Sequence, residues 1–529
     1  MATVAVSRSR RRFAQLRVSD ALLAGVTVIA LIALSAYVRT RAIGGSFWMD
    51  EGLSVGISSH AFTDIPGVLR QDGSPPLYYM LLHVWMDVFG RTETAVHWLS
   101  LTAALLTIPS AMWAGWSLWG KRAGYIGAVV CALIPFLTAY GEEARMYALM
   151  ALLALLASAF FLHAFVYRRR GYIAAFAVGQ ALMLYTHSWG IFYGVGAFLA
   201  LAYLWWAAPK PERRGLLRDG ALAFGGAALL YLPWVPTLLY QTAHTGAPWA
   251  NKPRFGVPIQ IARDVLGGYG PAVGLLLVGG FGVALLLGAQ RARADRERES
   301  VFVLAGIALI TLGLAWLLSQ VSPAWASRYF AAIVGPLLLL LALGLSRAGR
   351  LGIVALVVIC AFWVKPTQYV DGYKSDVRDI GAEVGAQMSP GDLVLVGQPE
   401  QTPLVWYYMP GGLRYADTIG AVGDPRHMNW VDALDKLQAA QPDRVLPALL
   451  ANLRPGQKVL FVRPLTEGVT NWKAPWTQLV RRRSAQWGAI LAGDTSLRQL
   501  QVAPQFYRGA STVGNSAVLY EKTARPQLP

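Results

Sequence analysis

Long apolar runs, broken by short turns rich in arginine and lysine, repeat along the first two thirds of the chain. A helix needs about 20 mostly apolar residues to cross a bilayer. Apolar runs separated by alternating basic turns predict about eleven spans. They are Ala21 to Val38, Thr94 to Trp119, Ala123 to Ala139, Met146 to Tyr167, Tyr172 to Thr186, Ile191 to Ala208, Ala221 to Tyr240, Ala272 to Ala289, Val301 to Gln320, Tyr329 to Leu345 and Leu351 to Val364. Pro76 to Phe89 is apolar too, but about 14 residues reach only ~21 Å, too short to span. Its Tyr, Trp and His suit a helix lying along the membrane surface. From about Tyr369 polar and apolar positions mix. Asp392 to Val396 and Lys458 to Val462 read as short buried strands, and Gln401 to Met409 and Trp476 to Leu491 as helices between strands.

The expected fold class is therefore an α-helical polytopic membrane protein with a C-terminal extracytoplasmic α/β domain. It divides into a basic cytoplasmic arm (1–20), a membrane domain (21–365) whose outer loop is 39–93, and the late domain (366–529). Arg8 to Arg17 precede the first span, so positive charge places the N-terminus inside. That apolar run exceeds the 7–15 residues of a signal-peptide core, so it reads as an uncleaved helix. Of the 529 residues 14% are charged, against about 25% in soluble domains. The net charge of +18 sits mainly in the turns, which fits orientation in a cell membrane and gives no nucleic-acid motif. Two cysteines, Cys131 and Cys360, exclude a disulfide framework and a cysteine-rich metal site.

Candidate chemistry gathers where this topology puts the outer face. The loop Phe47 to Tyr79 carries Asp50, Glu51 and Asp72 beside a bilayer, where a carboxylate loses hydration at a cost. A metal, an arginine or a reacting proton would justify them; acidic residues starting a helix would also suit its dipole. Glu142, Glu143 and Arg145, with Tyr147, form a second cluster able to bind phosphate, sugar or metal. His187 stands at another outer helix end, and Glu143 with His187 is the candidate pair for a divalent metal. Arg328, followed by Tyr329, and Lys252 and Arg254 are outer cations. Arginine grips phosphate through two parallel bonds, though such cations also snorkel to lipid headgroups.

Phe47-Trp48-Met49-Asp50-Glu51, Pro75-Pro76-Leu77-Tyr78-Tyr79, Glu143-Ala144-Arg145-Met146-Tyr147 and Arg328-Tyr329 resemble the GT-C integral-membrane glycosyltransferases. The branch of protein O-mannosyltransferases and lipid A aminoarabinose transferases is the most similar. The resemblance covers most of Ala21 to Val364, and Tyr373 to Asp379 looks like bacterial members. Ser74 stands where many such proteins have histidine before the paired prolines, so no histidine role carries over. The resemblance implies a polyprenyl-phosphate sugar donor, an outer-face lipid, glycan or protein acceptor, and inversion at the anomeric carbon. It makes Asp50 the expected base, with Glu51 or Glu143 orienting the acceptor or holding a metal. Arg145 and Arg328 would hold the donor phosphate, with Tyr78 and Asp72 nearby. Two rival readings remain. A transporter or lipid flippase would carry its charges within spans near the midplane, and here they lie at span ends. A noncatalytic envelope-assembly protein would use the late domain to bind cell-wall polymer.

Overall fold

The computed structural model describes residues 2–290, 292–364, 373–467, 469–505 and 513–524. Hydrocarbon offers no partner to backbone polar groups, so apolar runs that cross it fold as helices. Among the described residues eight helices are long and apolar enough to span: Asp20–Arg39, Glu93–Trp119, Tyr147–Val166, Gly190–Ala207, Lys210–His244, Tyr269–Gly288, Ala294–Val321 and Ser327–Arg347. Lys121–Leu133 and Pro135–Gly141, bent by 48° where Pro135 interrupts the hydrogen-bond ladder, make a ninth if taken together. The other two predicted spans are helices of 14 residues, Ile173–Thr186 and Arg350–Trp363. Each reaches about 21 Å, short of the roughly 30 Å core. So about eleven apolar helices form, and eight or nine have spanning length. The basic arm continues the first helix, which runs Ala2–Arg39. The domain boundary expected at 365–366 lies outside the described residues.

The centre of the bundle is the crossing of Tyr147–Val166 with Ser327–Arg347, both largely buried. A Cβ on Gly335 would sit 2.2 Å from the Ala154 carbonyl carbon, so only glycine lets the backbones meet. Small residues serve this purpose in membrane bundles, where lipid gives no hydrophobic drive between helices.

The Phe47 to Tyr79 loop folds into Met49–Ser58, Ile65–Asp72 and the start of Leu77–Phe89, the short apolar helix foreseen. Gly73, at φ 100°, closes the second of these with a left-handed residue.

The C-terminal region holds a six-stranded sheet: β1 Leu393–Val396, β2 Arg414–Asp417, β3 Gly420–Val422, β4 Lys458–Pro464, β5 Leu497–Ala503 and β6 Asn515–Lys522. The order is β3-β2-β1-β4-β6-β5. β1 runs parallel to β2 and β4, Leu393 pairing Arg414 and Val459; the other pairs are antiparallel. All four β1 residues are buried, which is why its sequence is continuously apolar. The predicted helices appear as Thr402–Tyr408 and Pro475–Gly493.

This domain sits directly on the Asp50 helix. A Cβ on Gly52 would lie 2.6 Å from Leu404 Cα, and one on Gly56 2.0 Å from the Arg426 carbonyl oxygen. Phe47 N–H donates to Tyr408 Oη at 2.8 Å, and Trp430 N–H to the Gln71 carbonyl at 2.9 Å. The loop is thus enclosed between bundle and domain.

Candidate active site

A cavity of about 710 Å³ opens between the bundle end, the loop and the C-terminal domain. Asp50, Asp72, Arg145, Tyr147, His187, Arg328 and Tyr329 line it. These residues come from segments hundreds of positions apart, and the fold brings them to one place.

Asp50 and Glu51 occupy the first turn of Met49–Ser58, where acidic side chains favour the helix dipole. Asp50 Oδ2 faces Arg328 Nη2 at 3.4 Å and Arg145 Nε at 4.0 Å. These are loose contacts. Asp50 Oδ2, Arg145 Nε and Arg328 Nε are buried and have no hydrogen-bond partner among the described residues. Buried polar groups are normally paired, so three such atoms around one cavity mark a place built for a ligand.

Arg145 is fixed from behind. Its Nη1 donates to the Asp50 carbonyl at 3.3 Å, Ser54 Oγ at 3.2 Å and Tyr79 Oη at 3.3 Å. Burial works against its charge, but Tyr79, Tyr147 and Asp50 hold it more firmly protonated than usual. The rings of Tyr147, His187 and Tyr329 pack together, with His187 and Tyr329 centroids 4.5 Å apart. The Arg328 guanidinium lies 5.8 Å from the Trp48 ring and 5.4 Å from Trp249, which hold it by cation–π attraction. Burial raises the Asp72 carboxyl, with Ser74 bonding partly offsetting it.

Glu51 turns away from the cavity. It is fully buried, and its Oε1 accepts from His97 Nε2 at 2.7 Å, Lys374 Nζ at 2.8 Å and Ala144 N–H at 2.8 Å. Its Oε2 takes the Trp48 N–H at 3.2 Å. Burial pushes this carboxyl up, but Lys374 and then His97 outweigh it and hold it down at about 2. Lys374 also donates to the Glu142 carbonyl at 2.7 Å. The network ties the loop, the Glu142 turn and the first described residues after the bundle into one knot.

The other predicted residues lie off the cavity. Tyr78 is buried and bonds Ser100 at 2.9 Å. Glu142 Oε1 accepts from Ala42 N–H at 3.2 Å. Burial raises Glu142 to about 7, and burial with Glu51 raises Glu143 to about 7. Lys252 and Arg254 are exposed on their loop. As to a metal, burial and then Arg145 and Arg328 push His187 down to about 3. Two cations facing that ring would repel a divalent ion. Among the described residues, neither Glu143 nor His187 belongs to a cluster of three metal-capable side chains.

Sequence reasoning missed His97 and the Lys374 contact. His97 sits inside an apolar span with nothing to flag it. It also missed the C-terminal wall of the cavity, where Gln398, Glu400, Gln401 and Trp430 stand.

No protein-family model and no curated protein matches the chain. Solved structures do, two of ArnT among them. The crystal structure of ArnT from Cupriavidus metallidurans bound to undecaprenyl phosphate aligns over 95% of this chain and 99% of that one, with TM-score 0.62 and 14% identity. The apo ArnT of the same organism aligns over 93% and 97%, with TM-score 0.61 and 14% identity. The similarity includes the C-terminal sheet region as well as the bundle, since it runs over nearly the whole length of both chains. The chain has the fold of the GT-C glycosyltransferases, lipid A aminoarabinose transferase among them.

Proposed function

We propose that this protein is an inverting membrane glycosyltransferase that moves a sugar from a polyprenyl-phosphate donor to an acceptor hydroxyl, with Asp50 as general base. The single observation that carries the reading is the meeting of Asp50, Arg145 and Arg328 across one cavity, each with an unpaired buried atom. The donor class draws support from the similar ArnT, whose crystal structure is bound to undecaprenyl phosphate.

In this scheme the donor phosphate lies against Arg328 and Arg145. The acceptor oxygen attacks the anomeric carbon from the side opposite the phosphate. Its bond forms as the sugar–phosphate bond breaks, and configuration inverts. The hydroxyl proton goes to Asp50, and the electron pair leaves on the phosphate. The leaving group is a stable anion, so no general acid is needed. The phosphate gains a second negative charge, which the two guanidiniums stabilise. Lipid tail contacts would fall to Ile191, Phe192 and Leu238, apolar members of the lining on the bundle side. The bundle sits in the cell membrane with the N-terminus cytoplasmic and the cavity on the outer side, as loop charge suggests.

The test is transfer from radiolabelled polyprenyl-phosphate sugars by purified protein in lipid. Asp50→Asn should abolish most turnover while the protein stays folded. Turnover like wild type would remove Asp50 from the base role. Labelled lipid crossing vesicles with no glycosidic bond broken would instead favour a flippase.

A further inference from the structure

The cavity has two unlike walls. The bundle wall carries Arg145, Arg328 and His187. The C-terminal wall is lined by Gln398, Glu400, Gln401, Trp430, Asn471 and Trp472, and among the described residues that line it none is a cation. A phosphate would find no counter-charge there. What the wall offers is one carboxylate, planar amides and indole rings.

These groups are held in a fixed order. Gln401 Nε2 donates to Gln398 Oε1 at 3.0 Å. Gln398 Nε2 donates to Glu400 Oε1 at 2.9 Å and touches Met49 Sδ at 3.3 Å. Trp476 Nε1 donates to the same Glu400 Oε1 at 3.0 Å. Glu400 is 5% exposed, and its Oε2 is buried without a partner among the described residues. A chain of bonds that satisfies one carboxylate oxygen and leaves the other bare costs stability unless a ligand completes it. Burial raises the Glu400 carboxyl and the Asp50 charge adds to this; both residues line the one cavity.

On the proposed reading, an in-line displacement needs the acceptor hydroxyl beside Asp50 and away from the arginines. Carboxylate and amide groups match paired hydroxyls, because each offers two polar atoms in one plane. Indole faces pack against C–H surfaces while polar atoms stay bonded. We infer that Gln398, Glu400 and Gln401, with Trp430 and Trp472, form an acceptor subsite that takes a sugar ring through its hydroxyls, so the acceptor is a glycan. This rests on the glycosyltransferase reading above for its role, though not for its binding.

The experiment is saturation-transfer NMR on the full-length protein in nanodiscs. The probes are methyl glycosides of mannose, glucose, galactose, N-acetylglucosamine and arabinofuranose, with serine- and threonine-containing peptides as the rival class. Undecaprenyl phosphate binding is measured in parallel. At least one glycoside should bind wild type, and Glu400→Gln and Gln398→Ala should weaken it at least tenfold. Both variants should bind undecaprenyl phosphate as wild type does, which also certifies their fold. Arg328→Ala should show the reverse. No glycoside binding to wild type, binding of peptide alone, or glycoside binding indifferent to Glu400→Gln would each overturn the subsite. Loss of undecaprenyl phosphate binding in wild type itself would defeat the glycosyltransferase reading and leave the glycoside result standing.

Discussion

Asp50 and Glu51 are adjacent in sequence yet face different regions of the molecule. Glu51 points into a dry knot where lysine, histidine and a backbone amide approach to 2.8 Å or less. Asp50 points into the cavity, where its nearest cations stand at 3.4 and 4.0 Å. A helix advances about 100° per residue, so one turn at a domain seam serves both. Tight pairing makes a carboxylate a structural element with its proton affinity lost. Loose pairing leaves an oxygen open to a ligand. The knot holds the loop still, and the cavity uses that stillness.

The largest effects should separate these neighbours cleanly. Asp50→Asn is expected to lower kcat by about 10²–10⁴, the usual worth of a general base, with little change in thermal midpoint. Glu51→Gln should do the opposite first. It leaves Lys374 and His97 beside a neutral group in a buried site, and breaking a buried pair costs about 3–5 kcal/mol. Thermal unfolding in detergent and single-turnover transfer measure the two. A stable, inactive Glu51→Gln beside an active Asp50→Asn would exchange their roles.

Next come the arginines. Arg328→Ala should cost roughly 10²–10³ in kcat, in line with the loss of one charge-stabilising donor, and leave the fold intact. Arg145→Ala should match that loss and also lower the melting temperature, since it bonds the Asp50 carbonyl, Ser54 and Tyr79. If Arg145→Ala melts like wild type, its three bonds are not what anchors the loop.

Much of this contrast was legible in the sequence, and the missing part has a physical reason. The Asp-Glu pair, Arg145 and Arg328 stood out because charge next to apolar spans is costly. Strands β1 and β4 and the short Leu77–Phe89 helix were readable from apolar pattern and length, while β2, β3, β5 and β6 were not. The division of labour between Asp50 and Glu51 was not, because it depends on which way one helical turn faces. His97 was silent inside an apolar run. Glu400 was silent because buried acids in a mixed α/β segment look like ordinary polar positions. The shortness of Ile173–Thr186 and Arg350–Trp363 was visible in the runs themselves, 15 residues at Tyr172 to Thr186 and 14 at Leu351 to Val364, but the alternation of basic turns made them spans.

A smaller effect tests the rim of the knot through pH. Glu142 and Glu143 are raised to about 7 by burial, so the fold favours their neutral forms. Their stabilising contribution is full below the ordinary carboxyl range near 4.5 and is lost as pH rises through about 7. Glu51, held at about 2, contributes the other way: its share persists above the ordinary range and is lost only as pH falls toward 2. The melting temperature should therefore decline from pH 5 to pH 8. Glu142→Gln with Glu143→Gln should flatten that slope and raise the midpoint at pH 8 by roughly 2–4 °C. A slope unchanged in the double variant would assign the titration elsewhere.

The smallest expected effect concerns Lys252 and Arg254, which the sequence offered as further outer cations beside Arg328. They differ from Arg328 in surroundings. Arg328 is set among Trp48, Trp249 and Tyr329 against Asp50. Lys252 and Arg254 are exposed and outside the cavity lining. Water and salt screen exposed charges, which therefore contribute little at a distance. Lys252→Ala with Arg254→Ala should change kcat/KM by less than about twofold at 0.15 M salt, with a somewhat larger loss at low salt if they steer the anionic donor. A tenfold fall that persists at high salt would mean the 241–270 loop folds over the bound phosphate. Donor recognition would then belong to that loop as much as to Arg145 and Arg328, and the neat separation of a phosphate wall from a sugar wall would need a third surface.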